Sequence, residues 1–251
     1  MIKLLKFEWR KLWQQKSLYI IFVIGLVGLI LSLVSMRLFY GDMGATEASL
    51  LALQYSNYVS IVGASLVGIY ITLFACGDYS QHTIKNIYAR GYSRSAVYFS
   101  KYLISLFVTL AMAIIFIAVT FLFTLVLSGK VGTMPVGFNW GDLFLQLWVL
   151  VGMHGLYFGI SMMIGKLAGS LAINLVGITL VFLILNTMIM ILKINFEITK
   201  YQLEYILMGL SGPMGLQMAD KPELMRALLV PAGYAVFFVF GGWLVNNRRD
   251  V

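Results

Sequence analysis

The sequence predicts an all-α membrane protein built around six transmembrane helices, and three observations carry that reading. Hydrophobic residues make up 61% of the 251, the mean hydropathy is +0.90, and only 11% are charged, where a soluble domain needs about a quarter charged to cover its surface. Six apolar runs are long enough to cross roughly 30 Å of hydrocarbon at about 20 residues each. Lys and Arg concentrate in alternate connections between these runs, as the positive-inside asymmetry of a multi-span protein requires. A single transmembrane domain, 1–251, follows, with no soluble domain, low-complexity tract or clear internal repeat.

Residues 1–17 predict an interfacial amphipathic helix ahead of the first span. On a helical wheel Ile2, Leu5, Trp9, Leu12 and Trp13 share one side, while Lys3, Lys6, Arg10 and Gln14 gather elsewhere. Trp9 and Trp13 are the expected interfacial anchor, with rings at headgroup depth and cations among the phosphates. Leu4 and Phe7 fall off this face, so either the amphipathicity is imperfect or a partner covers them. The first span covers 18–36. It is not read as a signal peptide, because the charged region before Leu18 is long and no small-x-small cleavage site follows Leu33. The second span, 58–76, ends at the single cysteine, Cys76, which excludes an intrachain disulfide and any multi-cysteine metal motif.

Residues 78–101 form the most distinctive connection. Asp78 is expected to cap a helix, with Gln81 in the capping-box position. Ile84, Ile87 and Tyr88 then line one face at i, i+3, i+4, while Lys85, Asn86 and Arg90 point away. Gly91 stops the helix, and Ser93 caps the next one, which leads into the third span, 102–127. A plain reversal needs only a few residues. An apolar face held away from the bilayer is therefore expected to dock into a protein groove.

The fourth span, 143–164, carries His154 within Gly152-Met-His-Gly155-Leu-Tyr-Phe-Gly159. Gly155 and Gly159 form a G-x-x-x-G pair that admits another helix closely. His154 is expected to hydrogen-bond across that interface, with substrate contact or proton handling as the competing roles. Asn174, Asn186 and Thr187 in the fifth span, 171–192, are read as interhelical hydrogen-bonding groups, with substrate contact as the competing role. The segment 193–226 has room for one or two surface helices, broken at Gly209, Gly212 and Pro213. The last span, 228–245, carries Pro231 near its start, where a missing N–H costs least.

The side bearing both termini and the 78–101 connection holds 12 of the 18 Lys and Arg, and the other side holds six. Both termini are therefore expected in the cytoplasm. The net charge of +8 is a topology signal, and with no basic domain to carry it, no nucleic-acid partner is expected. No G-x-x-x-x-G-K-[ST] loop, no H-E-x-x-H motif and no carboxylate within a predicted span is present, so no catalytic residue and no metal site is expected.

The chain resembles the permease subunit of an ABC exporter, of the six-span, type-two branch that keeps its ATPase on a separate polypeptide. The likeness extends over essentially the whole length and is most specific in the 78–101 segment. Asp78 stands where Glu is usual, Thr83-Ile84-Lys85 match the core of the family's coupling motif, Gly91, Ser93 and Arg94 match its turn, and Lys101 its final Lys; His82 replaces the usual Gly. The resemblance implies that Asp78, Thr83, Ile84, Lys85, Ile87, Tyr88 and Arg94 couple the chain to a soluble ABC ATPase. It further implies that ATP and Mg are bound by that partner and none by this chain, and that a second copy or a related permease completes the passage. A multi-pass protein of a bacterial plasma membrane, in contact with lipid and expelling an amphipathic compound such as an antimicrobial peptide or toxin, is the corresponding expectation. The competing classes are an intramembrane enzyme using His154, which needs a polar catalytic group facing it, and a non-transporting receptor or assembly subunit, which would bind a partner without stimulating ATP turnover.

Overall fold

The computed structural model describes residues 2–40, 64–81, 83–128, 140–192, 198–211 and 222–249, and these are helical throughout, without strands. Helices α1 (Ile2–Gln14) and α2 (Lys16–Tyr40) are followed by α3 (Ala64–Ser80), the short α4 (Ile84–Ala89), α5 (Arg94–Ser128) and α6 (Trp140–Ile164). Helix α7 (Leu167–Ala172) passes through a π turn, Ile173–Gly177, into α8 (Ile178–Ile191). A 3-10 turn (Ile198–Tyr201), α9 (Leu203–Ser211) and α10 (Leu224–Arg248) complete the order.

By length and composition three of these helices, α5, α6 and α10, can each cross a membrane alone, and the number rises to five if each of two bent pairs is one span. The pairs are α1 with α2, bent by 59°, and Leu167–Gly177, which includes the π turn, with Leu180–Ile189, bent by 41°. Within the expected second span, α3 is a 17-residue helix from Ala64 and is not among these five; the first residues of that run, with Gly212 and Pro213, lie outside the described residues. The expected third span begins earlier than its hydropathy suggests: α5 starts at Arg94, so the end of the 78–101 connection is already the first two turns of that span. The last also begins early, at Leu224, which places Pro231 inside α10. There its ring packs on Gly152, and Trp148 donates its indole N–H to the Leu228 carbonyl at 2.9 Å, close to the backbone position that proline leaves without an N–H.

Helix α6 is the centre of the bundle. Val149, Met153, Tyr157, Phe158 and Met162 are buried on it, against Ile71 and Phe74 of α3, Tyr98 of α5 and Ile206 and Leu207 of α9. Helix α10 lies closest. A Cβ on Gly155 would stand 2.7 Å from the Ala235 Cα, and one on Gly159 would strike the Phe238 carbonyl, so at these two positions glycine sets the interhelical distance. Helix α9 departs from the expectation of a surface helix. Leu203, Ile206, Leu207 and Leu210 are buried, the helix continues through Gly209, and Gln146 of α6 donates to the Leu210 carbonyl at 3.0 Å. Apolar side chains such as Ile24 on α2, Leu183 on α8 and Phe237 on α10 are exposed on the outside, where lipid rather than water suits them.

Candidate functional site

Several of the described helix ends meet at one end of the bundle. The N-terminus of α2, the C-terminus of α3, the N-terminus of α5, the C-terminus of α6, the N-terminus of α7 and the C-terminus of α10 gather there. Helix α4 packs there against α1 and the start of α5. Gly91, with φ 84°, ends its turn in the left-handed region that glycine adopts freely. Ser93 accepts the Ala96 N–H at 3.3 Å at the start of α5.

Asp78 does not cap α4, as the capping-box pattern suggested. It lies in the last turn of α3, and Thr83 occupies the position before α4 without a side-chain cap. A carboxylate at a helix C-terminus is electrostatically misplaced, and here cations correct it. The ammonium groups of Lys11 and Lys101 both bond the Asp78 carboxylate, and the Thr83 hydroxyl donates to it at 2.9 Å. Burial alone would raise the Asp78 carboxyl, but the two lysines outweigh it and hold it well below the usual carboxylate range. Burial and the neighbouring charge of Lys101 lower Lys11 in turn. Lys101 is fully buried and also faces Glu8 at 3.6 Å.

The expectation of an outward apolar face on α4 is overturned. Ile84 and Ile87 are buried inside the chain, with Leu4 of α1 and Val97 of α5. The covering partner that Leu4 called for is therefore this chain's own α4. The inward stripe of α1 is Leu4, Glu8 and Leu12, at i, i+4, i+8, while Ile2, Trp9 and Trp13, assigned to one apolar side, are exposed. Trp9 stands edge-on to Trp13 and to Phe107 of α5, and Phe7 is exposed.

Outward from α4 point Lys85, Asn86, Ala89 and Arg90. Beside them a shallow cleft of about 350 Å³ is lined by Lys85, Tyr88, Tyr92, Ser93 and Arg94. The Arg94 guanidinium lies 5.7 Å from the Tyr88 ring centre and donates to the Asn247 carbonyl at 3.1 Å and to that of Arg249. It thereby satisfies carbonyls that the end of α10 leaves free. Arg249 donates to the Met163 carbonyl at the end of α6, with its guanidinium over the Tyr79 ring. Arg94 thus joins α4 to the α6–α10 pair.

His154 lies deeper and apart from this end. It is fully buried, with Nε2 3.1 Å from the Ser105 hydroxyl and Nδ1 3.1 Å from that of Thr109, both on α5. Ser105 is the polar group that an enzyme reading requires. Its hydroxyl also donates to the Tyr102 carbonyl at 3.0 Å, and the third group is a hydroxyl rather than a carboxylate, so the geometry does not favour nucleophilic chemistry. Asn174 stands in the π turn. Its amide N–H₂ reaches the Thr72 hydroxyl at 2.8 Å, Ser161 at 2.9 Å and the Tyr157 carbonyl at 3.3 Å, which ties the fifth run to α3 and α6. Cys76 joins this cluster as a donor to the Ser161 carbonyl at 3.3 Å. Thr187 donates to its own helix, at the Leu183 carbonyl. The side chain of Asn186, like the whole of His82, is outside the described residues. Among the described residues no cluster of His, Cys, Asp and Glu could hold a metal ion.

Sequence reasoning missed Glu8 and Lys11, as well as Ser105, Thr109, Thr72 and Ser161. One signal pointed to Glu8: it is the only acid in the first 41 residues and stands between Leu4 and Leu12 on one helical stripe.

No curated protein matches the chain. The profile of the family described as ABC-2 family transporter protein matches residues 4–186, from the first turn of α1 into α8. The chain is a multi-pass membrane protein of the ABC-2 transporter family, an ABC-2 type permease subunit.

Proposed function

We propose that this permease is the membrane half of an ATP-driven exporter whose energy comes from a separate soluble ATPase docked on α4. The observation that supports this most is the exposed cationic surface of Lys85 on α4 and Arg90 just after it, beside the cleft lined by Tyr88 and Arg94, on a short helix packed against α1 and α5. An exposed, well-anchored helix suits the transfer of a partner's movement. ATP and Mg bind on that partner. Six spans place α4 and both termini in the cytoplasm, and a second copy or a related permease completes the passage in a bacterial plasma membrane. The cargo is an amphipathic or peptide-like compound such as an antimicrobial peptide or toxin, which fits the resemblance and a lipid-facing passage.

The test is purification with and without the cognate ATPase. The chain alone is expected to hydrolyse no ATP; with the ATPase it forms a complex holding two ATPase subunits and two permeases, and ATP turnover rises over that of the free ATPase. Hydrolysis by the isolated permease, or a complex with no change in turnover, would contradict the reading, and the second result would favour a receptor or assembly subunit.

A further inference from the structure

The fifth apolar run consists of two helices in unlike surroundings, joined by the π turn Ile173–Gly177. The α7 side is held. Ser170 and Asn174, at i and i+4 on one face, are both buried. The Asn174 amide donates to Thr72 of α3 at 2.8 Å and to Ser161 of α6 at 2.9 Å. The Thr72 hydroxyl already donates to the Gly68 carbonyl at 2.7 Å, so its oxygen is left to accept. The Ser170 hydroxyl lies 3.4 Å from the Cys76 sulfur. Helix α8 has no such hold. Leu180, Val181, Leu183, Ile184 and Leu185 are all exposed, and no residue of α8 whose exposure is described is buried. Between Leu167–Gly177 and Leu180–Ile189 the axis turns by 41°, directly after the π turn. A π turn carries one residue more than the α-helix it interrupts, and sharp helix bends fall at such turns. Hydrogen bonds are directional and fix α7 in one orientation, whereas apolar contact with lipid is non-directional and fixes α8 in none.

We propose that the π turn is a hinge on which α8 swings while α7 stays fixed to α3 and α6, with Asn174 as the positioning residue of the fixed side. The turn itself is divided in the same way: Asn174 is buried, while Ile173, Leu175 and Val176 are exposed. Its backbone can therefore change on the exposed side without breaking packed contacts, while the amide keeps its hold on the other. That the swing takes part in the transport cycle rests on the reading of the chain as an ATP-driven permease; the hinge itself does not.

The test uses the full chain in lipid nanodiscs, alone and with its ATPase, in a Cys76→Ser background that keeps a donor at that position. Spin labels are placed at pairs of exposed positions, each labelled chain diluted with unlabelled chain. Ala168 and Arg248 report α7 against the end of α10, and Met188 and Leu229 report α8 against its start. In the parent the Met188 to Leu229 distribution is expected to be several-fold wider than that of Ala168 to Arg248. With the ATPase bound, ATP and vanadate should shift the first pair and leave the second unmoved. Deletion of Val176 removes the extra residue and leaves both flanking helices in register. It should narrow the Met188 to Leu229 distribution to the width of the other pair and abolish the shift. Thr72→Val/Ser161→Ala takes two acceptors from Asn174 at little change of volume, and should widen the Ala168 to Arg248 distribution several-fold, while Thr72→Ser keeps it narrow. Equal widths for the two pairs in the parent, a deletion variant as wide as its parent, or a hydroxyl-free variant that keeps α7 narrow would each overturn the hinge. If the deletion variant does not insert, the parent's widths and the hydroxyl-free variant decide. A bound ATPase whose nucleotide leaves Met188 to Leu229 unmoved would overturn the part in transport. Failure of the parent to hold any ATPase would sink the functional reading, and the widths without nucleotide would still decide the hinge.

Discussion

His154 is held by Ser105 and Thr109 from one face of α5, and a neutral imidazole can donate at one nitrogen and accept at the other. Hydrogen bonds between membrane helices are worth about 0.6 kcal/mol on average and ~1.7 kcal/mol at most, so the histidine contributes fit more than stability. His154→Gln keeps a donor and an acceptor and is expected to retain nearly all transport, whereas His154→Leu strands the Thr109 hydroxyl and should lower thermal stability in detergent by roughly 1 to 2 kcal/mol. Complete loss of transport in a normally assembled His154→Gln complex would assign the ring a titrating role instead. The hydrogen-bonding character of His154 and Asn174 was legible from their place in apolar runs. Their partners were not, because Ser and Thr also bond their own helix backbone, as Thr72 does to the Gly68 carbonyl at 2.7 Å, and nothing local distinguishes the hydroxyls that reach across.

At the scale of the element, α4 shows what periodicity can and cannot reveal. The i, i+3, i+4 spacing of Ile84, Ile87 and Tyr88 identifies an apolar face. It does not identify the cover, which is Leu4, some 80 residues earlier on another amphipathic helix. The same applies to Asp78, where a capping-box spacing coincided with a residue whose partners, Lys11 and Lys101, come from α1 and α5. Ile87→Asp would bury an unpaired carboxylate within the chain at a cost of several kcal/mol. It is therefore expected to loosen α1 and α4 from the bundle and to lower thermal stability before it affects any partner. Asn86→Asp, on the exposed face, should change stability by less than about 0.5 kcal/mol. A stable, fully folded Ile87→Asp protein would contradict the inward packing. Arg94 was legible as part of the turn before α5, but its hold on the end of α10 links positions more than 150 residues apart and leaves no mark in local sequence.

For the whole molecule, helical class, membrane residence and family were all legible, because composition, apolar run length and the 78–101 motif are local properties. The helix ends were less so: α5 and α10 both begin before their apolar cores, since polar first turns can be helical without being hydrophobic. The gathering of α1, α4 and the end of α10 at one pole gives the Lys and Arg asymmetry a structural counterpart. Single cysteines at Lys85 and at Gln202, in a Cys76→Ser background, should label from opposite sides of the membrane, with Lys85 reached from the cytoplasm; labelling of both from outside would reverse the proposed topology. The central claim is that a separate ATPase docks on the outward face of α4, and its most direct test is the affinity of the purified ATPase for the permease carrying Lys85→Glu/Arg90→Glu. Both residues are exposed, so the fold is expected to keep its thermal stability, while reversal of two charges at the contact should weaken binding at least about tenfold, the equivalent of ~1.4 kcal/mol, and reduce the stimulated ATP turnover with it. Wild-type affinity and wild-type stimulated turnover in that variant would contradict docking at α4.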